Sequence, residues 1–159
     1  MNPYRISGTV QRSGSSCAYF ITADFPEESK IIADAREINN YKSQWCAEKV
    51  KNAMLEYELK NHKRPVVAMM GLAFKPNIDD LRESPAKWIV TMVMQSCNNA
   101  DILVVEPNVE THNVYKLTDY KEAYEKADIV VMLTAHDQFK QLPYNEDKVI
   151  LDFCGIYKK

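Results

Sequence analysis

The sequence predicts an α/β fold in three layers: a parallel sheet covered on both faces and preceded by a long helix. Two observations predict the sheet. Continuous apolar runs of strand length recur after residue 64, as VVAMM, ILVVE, DIVVML and KVILDF. Segments with helical apolar spacing separate them, and strands alternating with helices imply parallel pairing with both faces buried. A third observation predicts the helix: residues 26 to about 61 hold a helical pattern before the first strand.

Taken in order, residues 1 to 18 are polar, small and patternless, as expected of a flexible arm or the remnant of a truncation. In the long helix, Asp24 is placed to cap and Pro26 suits the first turn. Ile31, Ala35 and Ile38 recur at helical spacing, as do Cys46, Val50, Ala53, Met54 and Tyr57. Between these groups NNYKSQ forms helix weakly, which allows a kink or break over Asn39 to Ser43. Unbroken, the helix would run to roughly 50 Å at about 1.5 Å per residue. That overshoots a domain of about 100 residues, so such a helix is expected to pack on a second domain or another subunit.

Pro65 ends the helical stretch and VVAMM begins the sheet. A helix is expected from Pro85 to about Cys97, with Trp88, Ile89, Met92 and Val93 on one face. ILVVE (102–106) reads as a buried strand, Asn113 to Leu117 as a short strand and DYKEAYEKA as a short helix. DIVVML (128–133) is a strand, HDQFKQL is helical, and KVILDF (148–153) is the last strand. Ligands in such sheets bind at the carboxyl ends of the strands. Those ends are Gly71 to Lys75, Glu106 to Asn108, Thr134 to Asp137 and Asp152 to Gly155.

Composition narrows the chemistry. Of the 159 residues, 46% are apolar and 26% charged, a balance able to bury a core. A net charge of −2 argues against a general electrostatic grip on nucleic acid. No apolar run approaches membrane-spanning length, and the amino-terminal residues hold no apolar core of signal-peptide length. The four cysteines (Cys17, Cys46, Cys97, Cys154) lie far apart without a C-x-x-C pair, so a reducing cytoplasm is the expected setting. There are four glycines, Gly8, Gly14, Gly71 and Gly155, too scattered for a dinucleotide turn or a phosphate-binding loop.

The connection after VVAMM is the long one. It exceeds a dozen residues where about 2–6 are usual. It carries Lys75, Asp79, Asp80, Arg82 and Glu83, and it ends at Ser84-Pro85, a helix start with partial positive charge. Lys75, Arg82 and the helix amino end together suit an anion. The plainer alternative has both cations solvated and paired with the acids beside them. Asp79, Asp80 and Glu83 raise magnesium, but acids equally suit the turn before a helix, and no metal is expected. His62, His112 and His136 form no ligand spacing. His136, at a strand end, reads as a packing or helix-start residue rather than a base. Cys17 has no base nearby and reads as a bystander thiol.

GLAFKPNIDDLRESPA resembles the signature that opens the C-terminal domain of the UDP-glucose/GDP-mannose dehydrogenase family. Its wording is nearest the branch acting on UDP-N-acetyl-D-mannosamine. AREINNYK, VVEPN, ADIVVMLTAHDQF and VILDF agree in order, so the resemblance covers roughly residues 19 to 159. It implies a Rossmann-like UDP-sugar-binding domain over 63–159, joined to a connecting and dimerisation helix region over 19–62. It implies an enzyme that oxidises a sugar C6 alcohol to a carboxylate with NAD, for surface polysaccharide synthesis. The partners implied are a UDP-sugar and, through the long helix, a second copy of the chain, with no nucleic acid or membrane. By position, Phe74 and Lys75 match residues lining the sugar-nucleotide pocket, and Arg82 matches an arginine reaching toward the NAD diphosphate.

The departures bear on catalysis. Where the family carries Gly-Gly-His-Cys before an aromatic pair, QRSGSSCA precedes Tyr19-Phe20, so the nucleophile is not carried onto Cys17. The NAD-binding domain is not represented, so this chain alone is expected to bind no NAD and to lack catalysis. Asp152 is followed by Phe153-Cys154-Gly155, where many members place a basic residue. The other reading of the chain is a non-catalytic α/β dimerisation or interaction module.

Overall fold

The computed structural model describes residues 21, 23–25, 27–97 and 101–157. The expected arm over residues 1 to 18, Cys17 with it, and Pro26 lie outside the described residues. Internal contacts divide the chain into residues 1 to 39 and residues 40 to 159.

In the first unit the described residues other than Phe25 are helical or turn. Phe25 N–H donates to Ile21 O at 2.9 Å and Ser29 N–H to Phe25 O at 3.0 Å. Helix α1 then spans Lys30–Asn61. It starts later than Asp24 and Pro26 suggested. Ser29 O receives the Ile32 and Ala33 N–H groups at 2.9 and 3.0 Å, so Ser29 stands at the entrance. Helical assignment continues through NNYKSQ, so the anticipated kink is not a break in the element.

The second unit is built on four parallel strands: β1 (Val66–Met70), β2 (Asp101–Val105), β3 (Ile129–Met132) and β4 (Val149–Asp152). Their order is β2-β1-β3-β4. Met70 lies opposite both Val105 and Met132, and Met132 opposite Asp152, so the four carboxyl ends finish level. Helices α2 (Pro85–Ser96) and α3 (Tyr120–Lys126) follow β1 and β2. Alternation of side chains splits the strands between two cores. Val67, Met69, Val104, Ile129 and Val131 meet Cys46, Ala47, Val50 and Met54 of α1 and Ile89, Val90 and Val93 of α2. Ala68, Met70, Val105, Val130 and Met132 meet Ala123 and Tyr124 of α3 together with Phe139 and Leu142. The three-layer parallel architecture is therefore as the sequence predicted.

Two expected elements differ. Asn113 to Leu117 is not a strand; only Leu117 bridges Val104. His112 Nδ1 accepts from Val114 N–H at 3.1 Å and Tyr115 N–H at 3.2 Å, which takes those amides out of any strand ladder. HDQFKQL yields one short 3₁₀ turn, Phe139–Gln141, because Pro143 cannot continue it. No helix among the described residues is long and apolar enough to cross a membrane.

Candidate functional site at the carboxyl ends of β1, β2 and β3

The chain leaves β1 toward β2 on one side, whereas β3 lies on the other. Between β1 and β3 the strand order reverses, and a crevice opens there in open parallel sheets. The long β1–α2 loop, residues 71 to 84, begins at this point.

Gly71 makes the exit. Its φ is +98°, and a Cβ there would sit 2.7 Å from Thr134 Cβ. Glycine alone combines that backbone with that approach to the end of β3. Thr134 Oγ1 donates to Ala73 O at 3.0 Å and fastens the next turn.

Beyond Gly71 the loop is shaped by side chains from the other two strand ends. Glu106, just after β2, accepts from Leu72 N–H at 2.8 Å and Ala73 N–H at 2.9 Å through Oε2, and from Asn108 N–H at 3.1 Å through Oε1. His136, after β3, puts Nε2 3.2 Å from the same Oε2. Burial pushes the Glu106 carboxyl up, but the bonds from His136, Leu72 and Asn108 outweigh it and hold the group below its ordinary value. Asn77 N–H donates to His136 Nδ1 at 3.0 Å. The Asn77 side chain exchanges two bonds with Asp137, Nδ2 to Oδ2 at 2.8 Å and Oδ1 from N–H at 3.0 Å. The His136 placement matches its reading as a packing residue, with a bonding role the sequence did not disclose.

This frame exposes the residues singled out from sequence. Phe74 is 50% exposed, and Lys75 Nζ lies 5.9 Å from its ring centroid. Phe74 N–H donates to Asp80 O at 2.9 Å, closing residues 74 to 80 into a corner. Arg82 meets that corner: its Nε and Nη2 donate to Asp80 Oδ1 and Oδ2, each at 2.9 Å. Of the two cations, Arg82 thus follows the plainer alternative, paired with a neighbouring acid. Asp79, Asp80, Leu81, Arg82 and Lys87 line an open hollow of about 380 Å³ beside α2. Ser84 takes the cap position of α2 with extended backbone and Pro85 follows, as expected, but the Ser84 side chain makes no capping bond. Its buried Oγ has no hydrogen-bond partner.

Asp152, the last residue of β4, turns its carboxylate onto the loop that follows, accepting from the N–H groups of Gly155, Ile156 and Tyr157 at 2.7, 3.1 and 2.9 Å. Burial and that carboxylate push the Cys154 thiol up to about 12, which leaves it an inert thiol at neutral pH. Among the described residues no three His, Cys, Asp or Glu side chains converge as metal ligands.

Residues 68 to 159 match the model of the UDP-glucose/GDP-mannose dehydrogenase family, UDP binding domain. Over 154 residues the chain is 39% identical to UDP-N-acetyl-D-mannosamine dehydrogenase of Escherichia coli K12, covering 88% of this chain and 36% of that protein. It is 39% identical to the NDP-N-acetyl-D-galactosaminuronic acid dehydrogenase of Ralstonia nicotianae, covering 87% of this chain and 33% of that one. The fold superposes on UDP-D-ManNAc dehydrogenase of Pyrococcus horikoshii with a TM-score of 0.71 at 27% identity, covering 89% of this chain and 34% of that one. The chain spans about a third of the length of the curated relatives it matches.

Proposed function

The chain belongs to the UDP-glucose/GDP-mannose dehydrogenase family, and from that premise we propose that it is the nucleotide-sugar-binding portion of a UDP-sugar 6-dehydrogenase. The substrate class is a UDP-linked N-acetylhexosamine, with UDP-N-acetyl-D-mannosamine first. The observation that carries the reading is the exposed Phe74–Lys75 pair at the strand-order reversal, on a loop held by buried bonds to Glu106. In this role the Lys75 ammonium meets diphosphate or sugar oxygens and the Phe74 ring covers an apolar face.

The oxidation needs NAD, and the described residues do not make a dinucleotide cradle. The β1–α2 loop carries one glycine, where a tight glycine-rich turn would be required. In this reading NAD belongs to another domain, and Arg82 releases its fork on Asp80 to turn a cation toward it. With no matching cysteine nucleophile, the chain is inactive alone. Its setting in this reading is the cytoplasm. Helix α1 pairs two copies, because Tyr41, Leu55 and Leu59 stand exposed on the face opposite Cys46, Val50 and Met54.

Calorimetric titration with UDP tests the binding role. Saturable binding is expected, with amide shifts confined to Phe74 through Arg82. Lys75→Ala should weaken it about tenfold, the loss of one charge-assisted hydrogen bond. Absence of binding and of shifts in that loop would reject the reading and favour a plain interaction module.

A further inference from the structure

Glu106 and His136 have no place in the ligand contacts proposed above, yet both side chains are 0% exposed. Buried ionisable groups are costly unless their polar atoms are paired. Here both imidazole nitrogens are engaged, and toward different neighbours. Nε2 faces Glu106 Oε2 at 3.2 Å. Nδ1 receives Asn77 N–H at 3.0 Å and lies 2.9 Å from Asn108 Nδ2. A backbone N–H can only donate, so Nδ1 is the bare nitrogen and the ring proton sits on Nε2, aimed at the carboxylate. The ring has one tie into the ends of the sheet and another out to the β1–α2 loop.

The outward tie lands where loop shape is decided. Asn77 has φ +61°, in the left-handed region, and lies inside the corner that Phe74 N–H and Asp80 O close. Lys75 stands two residues before it. We propose that His136 is a positioning residue for nucleotide binding: Nδ1 sets the shape of the loop that presents Phe74 and Lys75, while Nε2 and Glu106 hold the three strand ends together. This rests on the nucleotide-binding reading above.

Two substitutions keep one tie each. His136→Asn offers a carbonyl oxygen near the Nδ1 position and does not reach Glu106. His136→Gln reaches Glu106 with its amide and leaves Asn77 N–H without its acceptor. The readouts are hydrogen exchange at the Asn77 amide, the dissociation constant for UDP, and the thermal midpoint. Both variants are expected to melt earlier than the parent. His136→Gln should speed Asn77 exchange and weaken UDP about five- to tenfold, one hydrogen bond's worth, while His136→Asn stays within about twofold on both. Affinity that falls in step with the melting point in both variants overturns the proposal.

Should the parent chain take up no UDP, the nucleotide reading fails by itself. The exchange comparison then decides the loop tie: faster exchange in His136→Gln alone upholds it, and equal rates sink it. Should neither variant fold, ¹⁵N shifts of the ring in the parent chain decide. A bare Nδ1 upholds the arrangement, and a proton on Nδ1 overturns it.

Discussion

Asp80 grips Arg82 with both carboxylate oxygens and also accepts from the Arg82 backbone N–H at 3.0 Å. The hydrogen bonds from the guanidinium, then the one from the backbone, hold the Asp80 carboxyl down at about 2, against an ordinary 3.8. A carboxyl depressed by folding favours the folded loop above its ordinary value and loses that contribution as pH falls toward about 2. Replacing Arg82 with Gln should therefore move the Asp80 titration midpoint up toward 3.8, followed by carboxyl NMR across the acid range. An unmoved midpoint would mean that the guanidinium is not the cause. The sequence displayed this pair only as neighbours in a charged run. It could not tell a fork between Asp80 and Arg82 from two solvated charges, because side chains two residues apart meet only if the loop turns there. The same holds for Glu106 and His136, whose place at strand ends was legible and whose partnership, across 30 residues, was not.

Helix α1 is fastened to the sheet at its far end by one carboxylate. Asp128, just before β3, accepts from Tyr57 Oη at 2.8 Å and from Val66 N–H at 2.9 Å, with Lys63 Nζ at 3.4 Å. Burial raises its carboxyl, but the bonds from Val66, Tyr57 and Lys63 prevail and hold it below its ordinary value. Its contribution is thus present above the ordinary carboxylate range and fades as pH falls through the depressed value. Asp128→Ala should cost about 1–3 kcal/mol in urea unfolding at neutral pH, since it strands a backbone donor, and the deficit should shrink in acid. A deficit constant with pH would contradict the assignment. At this scale the continuous apolar runs were the reliable signal: all four strands stand where they were read. The strand expected over 113–117 failed because His112 claims the Val114 and Tyr115 amides, a local side-chain bond that apolar spacing does not register. The helical reading of HDQFKQL failed in the same way, shortened by the commitment of Asp137 to Asn77 and by Pro143.

For the molecule as a whole, α1 buries Cys46, Val50 and Met54 against the sheet and leaves Tyr41, Leu55 and Leu59 exposed on its other side. Light scattering should find a dimer, and Leu59→Glu should shift it toward monomer without lowering the urea midpoint, since Leu59 is 76% exposed. A monomeric parent chain would remove the pairing role from α1. The fold was legible because burial on both faces of a sheet writes itself as apolar runs. The candidate site was legible only as a place. The bonds from Glu106 and His136 also mean that the loop carrying Phe74 and Lys75 does not own its shape. Its acceptors stand on two other strand ends, so transplanting residues 71 to 84 alone onto a related sheet would leave the Leu72, Ala73 and Asn77 amides stranded. The smallest exchangeable cassette is the three strand ends moved together.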